Sequence, residues 1–201
     1  MEERIIYQAS DKGSSLRQGE ILTGVIQYRP VISELLQEEQ ELSFDAVLHP
    51  YAIVVTQDCD LDWDYRARQT TNSQQSKLLN SVILCEISTA REIRDTADDM
   101  NSAAWKLVVS HRHERYYFFE KIPPECEVEQ EGLPELTADF KRVFGIDAST
   151  LYRQMELGMV KRRAILASPY LEPTFRRLTR YFQYVCQEAI AEMYIRQGFQ
   201  D

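Results

Sequence analysis

Between His49 and Leu61 the chain reads His-Pro-Tyr-Ala-Ile-Val-Val-Thr-Gln-Asp-Cys-Asp-Leu. An apolar run, Tyr51 to Val55, stops at a polar cluster of Thr56, Asp58, Cys59 and Asp60. A hydroxyl, a thiol and carboxylates at the end of a buried strand are groups with which a small domain can do chemistry. With His49, His111 or His113 beside it as a base, Cys59 would serve as a nucleophile. The carboxylates of Asp58 and Asp60 oppose that role, because negative neighbours disfavour the thiolate. The alternative is architectural: Cys59 lies under a strand end and Asp60 caps a turn.

Three further groups carry candidate chemistry. His111 and His113 alternate along the chain and, on one side of an extended segment, could join Cys59 or Asp60 around a metal; a solvated turn is the competing reading. Arg112 and Arg115 precede Tyr116, Tyr117 and Phe118, a combination able to contact phosphates and stack bases unless those aromatics form core. From Lys161 to Arg180 the chain holds Lys161, Arg162, Arg163, Arg176, Arg177 and Arg180 against Glu172 alone. That segment reads as a phosphate-contacting face, a dock for an acidic partner, or the wet face of a packed helix. The pattern calls for no cofactor.

The elements that must position these groups follow from patterning. Residues 1–15 read as a polar lead-in. Strands are predicted over 16–28, 51–55, 81–87 and 136–143, from β-branched runs and alternation. Ala90 to Ala104 has helical spacing at Ile93, Ala97 and Met100. Trp105 to Val109 and Tyr116 to Phe119 read as two strands of a hairpin, turning through 110–115. Glu34 to Glu41 reads as a solvated loop or short helix. Residues 62–77 read as a polar excursion, helical near Tyr65. Ser168-Pro169 starts a helix, along which Leu171, Phe175, Leu178, Phe182, Val185, Ala189 and Met193 form one apolar stripe about seven turns long. The stripe packs on the body, pairs with a second copy or receives a partner helix.

Composition narrows the classes. With 201 residues, 44% hydrophobic and 27% charged, the chain can bury a core. A net charge of −9 excludes a general nucleic-acid coat. No apolar run approaches the roughly 20 residues of a membrane span. The start, Met1-Glu2-Glu3-Arg4, lacks a signal-peptide core, so a cytoplasmic location is expected. Four scattered cysteines, Cys59, Cys85, Cys126 and Cys186, form no Cys-x-x-Cys pair, which argues against a disulfide framework or zinc ribbon. Cys85 and Cys186 suit core positions.

Leu16-Arg17-Gln18-Gly19-Glu20-Ile21-Leu22, His49-Pro50-Tyr51-Ala52-Ile53-Val54-Val55-Thr56 and Val82-Ile83-Leu84-Cys85-Glu86-Ile87 together resemble the MazF/PemK family of toxin endoribonucleases, over roughly residues 16–90. The resemblance implies an SH3-like β-barrel. In the family an arginine before the second strand and a Ser/Thr after it serve RNA cleavage. Here His49 stands where the arginine would be, and Thr56 matches the Ser/Thr. Losing the arginine removes a stabiliser of phosphorane charge, while a histidine supplies an acid or base.

The expectation is therefore an α+β protein: a lead-in over 1–15, an SH3-like barrel over 16–143 and a helical C-terminal extension over 144–201. Its function is expected to be that of a binding module for a protein or RNA partner, in the bacterial toxin–antitoxin or phage-defence setting that the resemblance implies. RNA contact would use the basic 161–180 segment, and protein contact or homodimerisation the C-terminal helix. The alternatives are a hydrolase, either a ribonuclease using Thr56 and His49 or a thiol or metal enzyme centred on Cys59 and Asp60, and a structural subunit docking through that helix.

Overall fold

The computed structural model describes residues 5–31, 43–70 and 75–196, with side chains through residue 185. The segment Glu34 to Glu41 and the side chains of Cys186, Ala189 and Met193 lie outside the described residues.

Seven strands, β1 (Tyr7–Ala9), β2 (Glu20–Pro30), β3 (Phe44–Val54), β4 (Ser81–Thr89), β5 (Tyr116–Phe119), β6 (Leu136–Asp147) and β7 (Lys161–Leu166), form one antiparallel sheet in the order β1-β7-β2-β3-β4-β6-β5. Among the described residues five α-helices accompany it: α1 (Asp58–Gln69), α2 (Ala90–Thr96), α3 (Ser102–Val109), α4 (Ala148–Glu156) and α5 (Leu171–Arg196). The chain is thus mixed α/β. The sheet is not closed by a strand ladder. It is curled, however, because one core cluster takes Tyr7 from β1, Ile21, Ile53 and Ile87 from the middle strands, Phe119 from β5, Phe140 from β6 and Leu166 from β7. The Tyr7 hydroxyl donates to the Glu120 carbonyl, 3.1 Å away, linking the two edges.

The opposite face carries a second cluster. Leu22, Ala52, Val54, Val82 and Leu84 of the sheet meet Leu61 of α1 and Leu151 of α4 there. The split follows the two-residue strand period, which sends Ile53 and Val54 to opposite faces. Gly24, at φ +79°, is required where β2 passes the Met159 carbonyl, because a Cβ there would collide with that oxygen.

Several elements differ from the sequence reading. Trp105 to Val109 is helix α3, not a hairpin strand: Asn101 Oδ1 accepts from the Ala103 and Ala104 N–H groups and starts a helix that overrides local β preference. The 90–104 helix is accordingly two helices, separated at Asp99, which has φ 62°. The lead-in contributes β1, whereas the helix expected near Tyr65 is present as α1. Residues 144–201 are not wholly a helical extension, because β6 runs on to Asp147 and β7 inserts between β1 and β2. The final helix begins at Leu171, after Ser168 donates its hydroxyl to Glu172 Oε1.

Candidate functional site

The Thr56–Asp60 elbow joins β3 to α1. Thr56 is buried, and its Oγ1 accepts the Ile83 N–H at 2.8 Å, tying the end of β3 to β4. Asp58 opens α1, where a carboxylate suits the helix dipole. It accepts two bonds from the Arg17 guanidinium, at 3.1 and 2.9 Å, and one from the Gln18 N–H at 2.7 Å. Partial burial opposes its ionisation, but Arg17 and that N–H outweigh burial and hold the carboxyl below its usual range. Cys59 is exposed, its Sγ 3.7 Å from both Gln57 Oε1 and Asp60 Oδ1.

His49 lies elsewhere. Five strand steps separate it from Val54, about 17 Å, so His49 and Thr56 form no shared site. The His49 side chain is 2% exposed, stacked on Phe144 with ring centroids 3.9 Å apart, and its Nδ1 is 2.9 Å from Glu86 Oε2. Its Nε2 is buried without a partner. Glu86 also accepts from Arg142, which reaches Asp139, itself chelated by Arg115. The His49 bond, opposed by burial and reinforced by Arg142, draws the Glu86 carboxyl down to about 2.

The hairpin-tip candidates are also engaged. His111 Nε2 lies 2.8 Å from the Phe118 carbonyl, and its ring stacks on Tyr117 at 4.4 Å. His113 Nδ1 accepts the Arg115 and Tyr116 N–H groups, both at 3.2 Å. Burial, and then Arg115, lower the pKa of His113. Among the described residues no group of three or more His, Cys, Asp or Glu could hold a metal. Tyr116, Tyr117 and Phe118 are buried, as the core reading has it, and leave no surface on which bases could stack.

The basic 161–180 segment is not one surface. Arg162 and Arg163 alternate across β7 and are buried. Arg162 chelates Glu20 and donates to the Ser14 and Ser15 carbonyls. Arg163 pairs with Glu127 and, at 3.2 Å, with Glu131. Burial resists ionisation of Glu127, but Arg163 and two backbone N–H groups bring it to about 2. Lys161 pairs with Glu129.

Apart from Lys161, the cations of this segment that reach solvent are on α5. Arg177 donates to the His111 and His113 carbonyls, fixing the turn that carries exposed Arg112 against the helix that carries exposed Arg176 and Arg180. Leu171, Phe175, Leu178 and Tyr181 pack on the core. The apolar stripe continues past the body: Leu178 is 4% exposed, whereas Phe182, Tyr184 and Val185 are 39%, 49% and 42% exposed.

Sequence reasoning missed Glu20 and Glu127, which pair with the buried Arg162 and Arg163, and Glu86 and Asp139, which pair with the more exposed Arg142 and Arg115. One signal was present: Glu86 is a lone acid within Val82-Ile83-Leu84-Cys85-Glu86-Ile87, and a carboxylate in a buried strand demands a partner. Comparison with protein-family models, curated proteins and solved structures finds no match to this chain.

Proposed function

We propose that this chain is a binding module that presents α5 to an acidic, amphipathic segment of a partner protein, with the sheet as scaffold. The observation that carries this reading is the change in burial along one stripe. Phe175 and Leu178 anchor α5, and Phe182 and Val185, next on the same face, are open to solvent. Arg176 and Arg180, exposed on the far side of α5 from that stripe, lend the helix a positive potential that favours an acidic partner. The helix spans 26 residues, about 39 Å, long enough to receive a partner helix along its outer half.

The MazF/PemK-like scaffold and the toxin–antitoxin or phage-defence setting rest on the resemblance of residues 16–90. A curled antiparallel sheet in which β2, β3 and β4 are consecutive neighbours is compatible with that reading. A hydrolase has less support, because His49 is buried, Thr56 is engaged with Ile83, and the two are far apart.

The test is calorimetric titration of the full chain with the product of the adjacent gene, the partner that the setting predicts. Phe182→Ser with Val185→Ser should weaken binding by roughly ten- to fiftyfold, since each side chain is about 40% exposed and covering that remainder contributes about 0.6–1.2 kcal/mol. Unchanged affinity in that variant would overturn the reading. Salt-sensitive binding of a single-stranded RNA, lost in Arg176→Glu with Arg180→Glu, would replace it with the RNA reading.

A further inference from the structure

A cavity of about 530 Å³ lies between α1, α4, the segment before β2 and the start of β7. Beneath it lies the second core cluster, to which α1 contributes Leu61 and α4 contributes Leu151. Arg68 reaches across from α1, lying 5.0 Å over the Tyr152 ring. The size falls within the roughly 300–1,000 Å³ of small-molecule sites. Leu16, Tyr65, Tyr152, Met155 and Val160 supply an apolar and aromatic wall. The Tyr65 ring is held by its hydroxyl, which donates to the Gly13 carbonyl at 2.9 Å.

The cations around the cavity fall into two kinds. Arg68 and Arg162 are fixed in the wall: Arg68 bonds Asp64, Ser149 and the Leu79 carbonyl, and Arg162 bonds Glu20 and two carbonyls. Lys12 and Lys161 are different. Their half-exposed ammonium groups converge at the rim on the two oxygens of one carboxylate, Glu129, at 3.1 and 3.2 Å. The other rim carboxylate, Glu156, pairs with Arg153. A surface carboxylate between two flexible lysines is a weakly held partner, and Glu129 can return to water at little cost. The rim is thus a two-lysine anion clamp occupied by the protein's own side chain, above an apolar chamber.

From this geometry we infer that the cavity binds a small molecule with an aromatic or aliphatic body and one carboxylate, sulfonate or phosphate group, the anion displacing Glu129 between Lys12 and Lys161. The site is separate from α5 and does not depend on the partner proposed for that helix.

The experiment titrates the full chain with 8-anilinonaphthalene-1-sulfonate, an aromatic anion that fluoresces in apolar surroundings. Saturable binding at one site is expected. Lys12→Ala with Lys161→Ala should weaken it roughly tenfold or more, through loss of two charge-assisted contacts. Glu129→Gln should tighten it several-fold by removing the internal competitor, an effect that a merely structural Glu129 would not produce. Met155→Trp should fill the chamber and abolish binding, while Phe182→Ser with Val185→Ser should leave it unchanged. Binding that is lost with Phe182 and Val185, or that fails to tighten in Glu129→Gln, would overturn the inference. Because Glu129 is a surface residue, that variant remains informative even if Met155→Trp does not fold.

Discussion

Replacing Thr56 by valine keeps the shape of the side chain and removes one acceptor. In the native fold the Ile83 N–H donates to Thr56 Oγ1 at 2.8 Å, and Thr56 is 9% exposed, so water cannot readily substitute. The loss strands a donor at the junction of β3 and β4 and should cost about 1–2 kcal/mol. For a chain of this size that is a fall in Tm of about 2–8 °C. Thr56→Ser keeps the oxygen and gives up one methyl, about 0.8 kcal/mol or less. Cys59→Ala, in the first turn of α1 and exposed, should move stability by less than about 0.5 kcal/mol. Urea unfolding followed by circular dichroism ranks the three. The reasoning fails if Thr56→Val matches the wild type, if Thr56→Ser is as damaging as Thr56→Val, or if Cys59→Ala costs more than either.

Other perturbations probe the buried charges and one backbone constraint. Glu86 and Glu127 have carboxyls at about 2 in the fold against an ordinary 4.5. Their stabilisation is complete above the ordinary value and lost as pH falls through the folded one, up to about 3 kcal/mol each; urea midpoints should drop between those pH values, and Glu86→Gln should flatten the drop. Arg162→Met should cost about 3–5 kcal/mol by leaving Glu20 buried and unpaired, and Glu20→Met with Arg162→Met should cost clearly less than the two singles summed; a strictly additive cycle would refute the pairing. Gly24→Ala should cost about 2 kcal/mol or more, because positive φ and the Met159 carbonyl both oppose it, whereas Gly158→Ala, with positive φ but open space, should cost only about 1 kcal/mol. Equal thermal melts for those two alanine variants would remove the argument from close approach.

Local pattern carried the fold where apolar or aromatic residues run together or alternate. Ser81 to Ile87, Tyr116 to Phe119 and the start of β6 are β-branched or aromatic runs, and their strands lie where those runs stand. It failed where a distant partner or a cap decided the outcome. Lys161-Arg162-Arg163 reads as solvated, yet Arg162 is buried by an ion pair with a residue 142 positions away. Nothing in a sequence window around β7 contains Glu20. At α3, Trp105 to Val109 favours strand by residue type, and the deciding signal was the Asn101 cap four residues upstream. A closed barrel could not be told from a curled open sheet, because both line one core with alternate side chains of each strand.

The same physics separates the two candidate sites. A cluster of Thr, Asp, Cys and Asp is visible in sequence, but its groups are mostly absorbed in holding β3, α1 and the Arg17–Gln18 turn together. The α5 stripe was equally visible and more informative once the body was in place. From Leu171 to Val185 its spacing is uniform, so sequence treats Leu178 and Val185 alike. Only the reach of the core distinguishes them: the sheet covers Leu178 and stops near Tyr181, while the helix continues to Arg196. Phe182 meets only the edge of Tyr181, ring centroids 5.8 Å apart, and Val185 lies beyond the core, so substituting serine at both should cost the isolated fold only about 1 kcal/mol. A large destabilisation in that variant would show the stripe to be core, and would remove the ground for a partner on α5.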